Sequence, residues 1–178
     1  MNYFVKILVS CFILLLTVSC DKVSDKFVSE EGFTVNQSLD VWKTLKEENG
    51  DSYVYMTTNE SVFGFGATTE ITVINGTVTK RTYQGYNKDD MTGQRVNTEV
   101  NYVEENDDVG TNDFGFTPAT IDELYDSCTG EYLTVKESEN FIYFGTEPNG
   151  FISFCSYFPK DCQDDCSVGF SIDTFMFL

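Results

Sequence analysis

Ile71-Thr72-Val73-Ile74-Asn75-Gly76-Thr77-Val78 is the stretch that decides the fold. β-branched residues crowd both sides of Asn75-Gly76. That dipeptide is a strong hairpin signal, because a tight two-residue turn needs positive φ at both central positions. The spacing predicts paired antiparallel strands over residues 68–75 and 77–86. Working upstream, residues 61–66 (SVFGFG) read as a glycine-loosened loop or bulge; as a nucleotide loop they lack the lysine and the following helix. Tyr53-Val54-Tyr55 alternates as a strand within residues 52–58. Before it, Leu39, Trp42 and Leu45 recur on one helical face. Asn36 or Ser38 caps that helix, and Asn49-Gly50 stops it after about Glu48. Trp42 is then a core residue docking the helix on the sheet.

Downstream, residues 87–115 are polar and acidic, with Asp89-Asp90 and Glu104-Glu105-Asn106-Asp107-Asp108, and read as a long surface insertion carrying a strand at 95–103. Thr117-Pro118 opens a second helix. Thr120 and Glu123 have capping-box spacing, and Ile121, Leu124 and Tyr125 form its apolar face. The helix is expected to end near Cys128, with Gly130 following. Residues 132–135, 141–144, 151–157 and 168–177 read as strands, and Pro148-Asn149-Gly150 turns between the middle two. The expected fold class is α+β: two principal helices packed on a mainly antiparallel sheet, with a faint repetition of helix plus hairpin in two halves.

The amino terminus carries an address. Lys6 is followed by an apolar run over residues 7–18 that ends in Leu16-Thr17-Val18-Ser19-Cys20, then turns polar at Asp21-Lys22. As a helix this run reaches about 18 Å, well short of a ~30 Å hydrocarbon core, which suits a signal peptide better than a membrane span. The boundary resembles a bacterial lipobox, with Thr17 where leucine is usual. Residues 1–19 are expected to be removed and Cys20 to carry the lipid, palmitate included. Residues 20–35 are expected to form a tether and residues 36–178 a single domain. Two or more acyl chains anchor durably where one binds only marginally.

Removing residues 1–19 leaves ten basic against 29 acidic residues, a formal charge of −19. That charge repels phosphate backbones and anionic lipids, so no nucleic acid partner is expected. Sixteen Phe and ten Tyr nevertheless supply a core. Beyond Cys11 and Cys20, the chain has Cys128, Cys155, Cys162 and Cys166. In an oxidising compartment these predict two disulfides, with three possible connectivities. Cys155–Cys166 with Cys128–Cys162 leads, since the first pair flanks a loop between neighbouring strands. Cys162–Cys166 with Cys128–Cys155 stands close behind. Zinc is the rival use of four thiolates, though the spacing lacks paired C-x-x-C knuckles.

The chain has no histidine. Ser-His-Asp and Cys-His catalysis and His-ligated metals are therefore excluded. Asn87-x-Asp89-Asp90-x-x-Gly93 is loosely like a calcium loop but lacks the later bidentate glutamate. No cofactor and no metal are expected, and calcium is expected to be unnecessary. Tyr53, Tyr55, Tyr83, Tyr86 and Phe63 are candidates for an aromatic ligand face, against the plainer reading that they are core or cross-strand pairs. Paired carboxylates can run glycoside hydrolysis, but none of the 29 acids singles itself out.

The order of the Trp42 helix, Tyr53-Val54-Tyr55, the Asn75-Gly76 hairpin, Thr120-Ile121-Asp122-Glu123-Leu124-Tyr125, the Asn149-Gly150 turn and Asp164-Asp165-Cys166 resembles a family of small secreted bacterial proteins known as a domain of unknown function. The resemblance spans roughly residues 38–178. It implies an exported α+β domain and no catalytic residue. The acidic insertion and the Cys155/Cys162/Cys166 cluster depart from its pattern. The leading expectation is a lipoprotein of the cell envelope, held to the outer rather than the inner membrane. It would act as a binding module for an envelope protein, glycan or peptide. A structural or assembly lipoprotein is the alternative, and a hydrolase with paired carboxylates the second.

Overall fold

The computed structural model describes residues 25–163 and 166–178; the expected signal peptide, Cys20 and Asp164-Asp165 lie outside the described residues. Among the described residues the fold is α+β and mostly sheet. Helix α1 (Val35–Asn49) is followed by strands β1 (Tyr53–Glu60), β2 (Phe65–Ile74), β3 (Thr77–Lys88) and β4 (Arg95–Glu105). Helix α2 (Ile121–Gly130) is followed by β5 (Asn140–Thr146), β6 (Ile152–Pro159), β7 (Val168–Ser171) and β8 (Thr174–Phe177). One sheet has the order β4-β3-β2-β1-β8 and the other β5-β6-β7, with every pairing antiparallel. Each helix thus precedes its own meander, and β8 crosses back to complete the first sheet.

The hairpin forms where expected. Asn75 and Gly76 take φ of 49° and 73°, and Val73 pairs with Val78 across the turn. Tyr53, Tyr55, Ile71 and Val73 point inward from β1 and β2 and join one core with residues of both helices and of the second sheet. The two tyrosines of β1 also hold α2. Tyr53 Oη accepts the Ile121 N–H at 2.8 Å, and Tyr55 donates to the Ala119 carbonyl at 2.7 Å. Thr120 and Glu123 close the predicted capping box at the same end.

Four expectations are corrected. The α1 cap is Thr34, in a reciprocal box with Gln37, rather than Asn36 or Ser38. Ser38 lies inside the helix, buried, with its hydroxyl 2.7 Å from Tyr125 Oη. The stretch expected as a tether up to residue 35 is docked well before that point. Lys26 pairs with Glu137, Phe27 packs on the core, and buried Ser29 meets Thr146 at 2.8 Å. The domain therefore starts upstream of residue 36. Residues 132–135 are no strand: Tyr132–Thr134 is a 3-10 turn, because the Thr134 amide and hydroxyl both bond the Glu131 carbonyl and prolong the helix end. Residues 168–177 make two strands in different sheets. Inward residues fall at Phe170 and Ile172, then at Phe175 and Phe177. That change of parity marks the bend, where Ile172 N–H bonds Ser153 and Asp173 N–H bonds Met56.

The disulfides adopt the second connectivity, Cys128–Cys155 and Cys162–Cys166. Cys155 faces Phe170 in the β6–β7 register, so a cross-strand bridge to Cys166 is out of register. Cys155 points inward to the buried end of α2, at a Cα–Cα distance of 5.7 Å from Cys128. Both pairings withdraw the thiolates that zinc would need. Mass spectrometry of the non-reduced protein should find these two pairs. Replacing Cys128 and Cys155 by alanine should cost about 3–4 kcal/mol, as expected for a loop of this length. Loss of less than about 1 kcal/mol would show that packing alone seats α2 on β6.

Candidate binding groove

A groove of about 480 Å³ opens where the two sheets part. Its walls are Leu45 and Asn49 at the end of α1, Glu147, Asn149, Phe151 and Ile152 around the β5–β6 turn, and Ile172 to Phe177. All five consecutive residues from Asp173 to Phe177 line it. Four of them, Thr174–Phe177, make up β8; successive side chains of a strand point to opposite faces, so what these four share is the backbone edge of the strand. That edge is free, since β8 is the outermost strand and pairs only with β1 among the described residues.

The aromatic back wall is built from the core outward. Trp42 is fully buried, with ring centroids 5.2 Å from Tyr53, 5.9 Å from Phe151 and Phe175, and 6.1 Å from Phe177. Phe151 and Phe175 approach to 4.5 Å. Among the described residues the Trp42 indole N–H has no hydrogen-bond partner; ring packing holds it, with the Lys46 ammonium 5.6 Å from the ring centroid. On the rim Glu147, Asn149, Asp173 and Thr174 are exposed. Both charged lining residues are acids.

A second surface lies on the outer face of the three-stranded sheet. Cys155 and Tyr157 point inward, so Phe154 and Phe158 point out, beside Phe141 and Tyr143 of β5. Phe141 is 53 % exposed and carries Lys160 5.1 Å above its ring. A shallow depression of about 260 Å³ lies among Phe141, Tyr143, Phe158 and Lys160.

The aromatic face expected from the sequence does not form. Tyr53 and Tyr55 are fully buried, which is the plainer reading of that motif. Burial holds both hydroxyls well above the ordinary tyrosine range. Tyr86 is also buried, under the Arg95 guanidinium at 4.4 Å, and donates to Glu60 at 2.8 Å. Burial, reinforced by that carboxylate, pushes the Tyr86 hydroxyl up to about 12. Tyr83 stacks on Tyr102 at 5.1 Å, and of the five only Phe63 faces solvent. The signal for the real outer aromatics was available: once Cys155 is inward, alternation turns its neighbours outward.

Two acids of these clusters, Asp89 and Glu104, have structural tasks. Asp89 Oδ1 accepts from the Thr92 hydroxyl, Thr92 N–H and Met91 N–H at 2.8, 2.8 and 3.1 Å. Those bonds, from Thr92 above all, hold its carboxyl below the usual range and close the β3–β4 loop. Glu104, expected in a solvated acidic run, is 2 % exposed. It meets Arg81 at 2.7 and 2.9 Å and accepts N–H bonds from Gly110 and Asn112, both at 2.7 Å. Arg81 in turn donates to the Asn112 and Phe116 carbonyls. Residues 106–116 are thereby strapped across the inner face of β3 and β4. The cross-strand register Arg81↔Glu104 carries this pair, and nothing in the local sequence distinguishes Glu104 from the acids beside it.

Comparison with protein-family models, with curated proteins and with solved structures returned no match to this chain.

The Arg81 guanidinium holds the Glu104 carboxyl far below the usual carboxylate range. A depressed carboxyl stabilises the fold above its unfolded pKa, about 4.3, and that stability is lost as pH falls toward the folded value. Glu104→Gln leaves Arg81 buried without its counter-charge and should cost about 3–5 kcal/mol at neutral pH. Urea melts should show the gap to wild type narrowing below about pH 4. A gap independent of pH would mean that shape, not charge, seats the strap.

Proposed function

We propose that this chain is an exported lipoprotein, anchored through Cys20 to the outer membrane of a bacterial envelope. Its domain binds a partner at the groove beside β8. The groove is the observation that carries this reading: half-buried Phe175 and Phe177, a free strand edge and exposed acids lie together where the sheets part. Export is supported by the lipobox-like boundary and by two disulfides that suit an oxidising compartment. No helix among the described residues is long and apolar enough to cross a membrane.

A binding role fits better than paired-carboxylate hydrolysis. The groove acids Glu147 and Asp173 are exposed, whereas the deeply buried carboxylate, Glu104, is committed to Arg81. The uncovered edge of β8 invites association with another chain, which favours a binding role.

Fatty-acid labelling should mark the wild type and not Cys20→Ala. In labelled envelopes, a photo-crosslinker at Asn149 on the groove rim should capture a discrete partner. The same probe at Glu70, on the outer face of β2, should not. Equal labelling of both forms would remove the anchor, and indistinguishable crosslinking from both positions would remove the groove.

A further inference from the structure

We propose that the groove takes an extended, positively charged peptide segment that adds to the free edge of β8 as a further antiparallel or parallel strand. The inference rests on the groove being the binding site and specifies its ligand.

Leu178 N–H donates to Ser52 O at 3.0 Å. Backbone groups of a strand alternate sides, so with Leu178 turned toward β1, those of Phe175 and Phe177 turn away from it, into the groove. These groups offer hydrogen bonds to an extended chain.

The two edges of the sheet are treated differently. β4, at one edge, carries Arg95, Glu99, Glu104 and Glu105, and its pairing with β3 is broken by a register shift. Charges and bulges of this kind discourage strand addition. β8, at the other edge, reads Thr174-Phe175-Met176-Phe177, with no charge, no proline and no break in register against β1. It is the unguarded edge.

Charge then selects the occupant. Glu147 and Asp173 are the charged residues of the lining, and no base stands among them. Eight of the nine described lysines and arginines are held in ion pairs, and the ninth, Lys160, lies over Phe141. The whole chain carries −18. A second copy would bring the same negative charge to the groove, and an anionic lipid or nucleic acid would be repelled. A neutral glycan leaves the outward amides and the two acids without a matched pattern. An extended segment with lysine or arginine at alternate positions answers both: its backbone meets the edge, and its cations reach Glu147 and Asp173.

The test uses the purified chain and a fluorescent peptide alternating Lys and Val. Companion peptides carry Glu for Lys, or Pro for alternate Val. Anisotropy should show saturable binding of the Lys-Val peptide alone, weakened about tenfold or more between about 50 and about 500 mM salt. Asp173→Lys/Glu147→Lys, both surface changes, should weaken it similarly while the melting temperature holds. Amides of Phe175 and Phe177 should gain hydrogen-exchange protection in the complex. Binding without that protection, or equal binding of the proline peptide, overturns strand addition. Failure of the peptide while crosslinking at Asn149 persists, or capture of a neutral oligosaccharide instead, overturns the ligand class and leaves the groove standing. Failure of both peptide and crosslink removes the groove as well.

Discussion

Trp42 stands at the junction on which the rest of the structure depends. It projects from α1 into rings from three directions: Tyr53 of β1, Phe175 and Phe177 of β8, and Phe151 at the entry to β6. The first three belong to the five-stranded sheet and the last leads into the other. Aromatic pairs of this geometry contribute about 0.5–1.5 kcal/mol each beyond burial, and truncating a buried tryptophan typically costs about 3–5 kcal/mol. The same phenylalanines form the groove wall, so the core and the candidate site share one set of contacts.

A second fastening runs through the tyrosines of β1. Their rings fill the core and their hydroxyls hold the start of α2, whose far end is bridged to β6 by Cys128–Cys155. The Tyr-x-Tyr strand and the capped helix, separate as motifs, are therefore two halves of one contact. At the opposite edge Arg81 and Glu104 do for the strap what the aromatics do for β8. The ion pair closes that side of the inner face with polar bonds, while β8 remains open. The inner face of the sheet is thus covered by the strap on the β3–β4 side and left open beside β8.

Much of this was legible in the sequence because local chemistry and global fold agree. Asn75-Gly76 forces the hairpin, Thr120 with Glu123 forces the start of α2, and Trp42 lies on the buried face of its helix. Other features depend on partners distant in the chain. Glu104 is one acid among many until the β3–β4 register sets it opposite Arg81. Thr34 caps with Gln37, while Ser38 is held inside the helix against Tyr125 and the Asn36 amide donates to Asp25. The disulfide pattern follows strand register, which cysteine spacing does not contain. The groove depends on the bend that splits residues 168–177 between two sheets, which only the parity change between Ile172 and Phe175 records in the sequence.

If Trp42 and its ring partners bind the two sheets into one cooperative unit, native-state hydrogen exchange tests that claim most directly. The slowest amides of β1 and β6 should open with the same free energy and the same denaturant dependence, and Trp42→Ala should lower both together. A three-stranded sheet that opens alone at lower free energy, with β1 and β2 unmoved by the substitution, would contradict it.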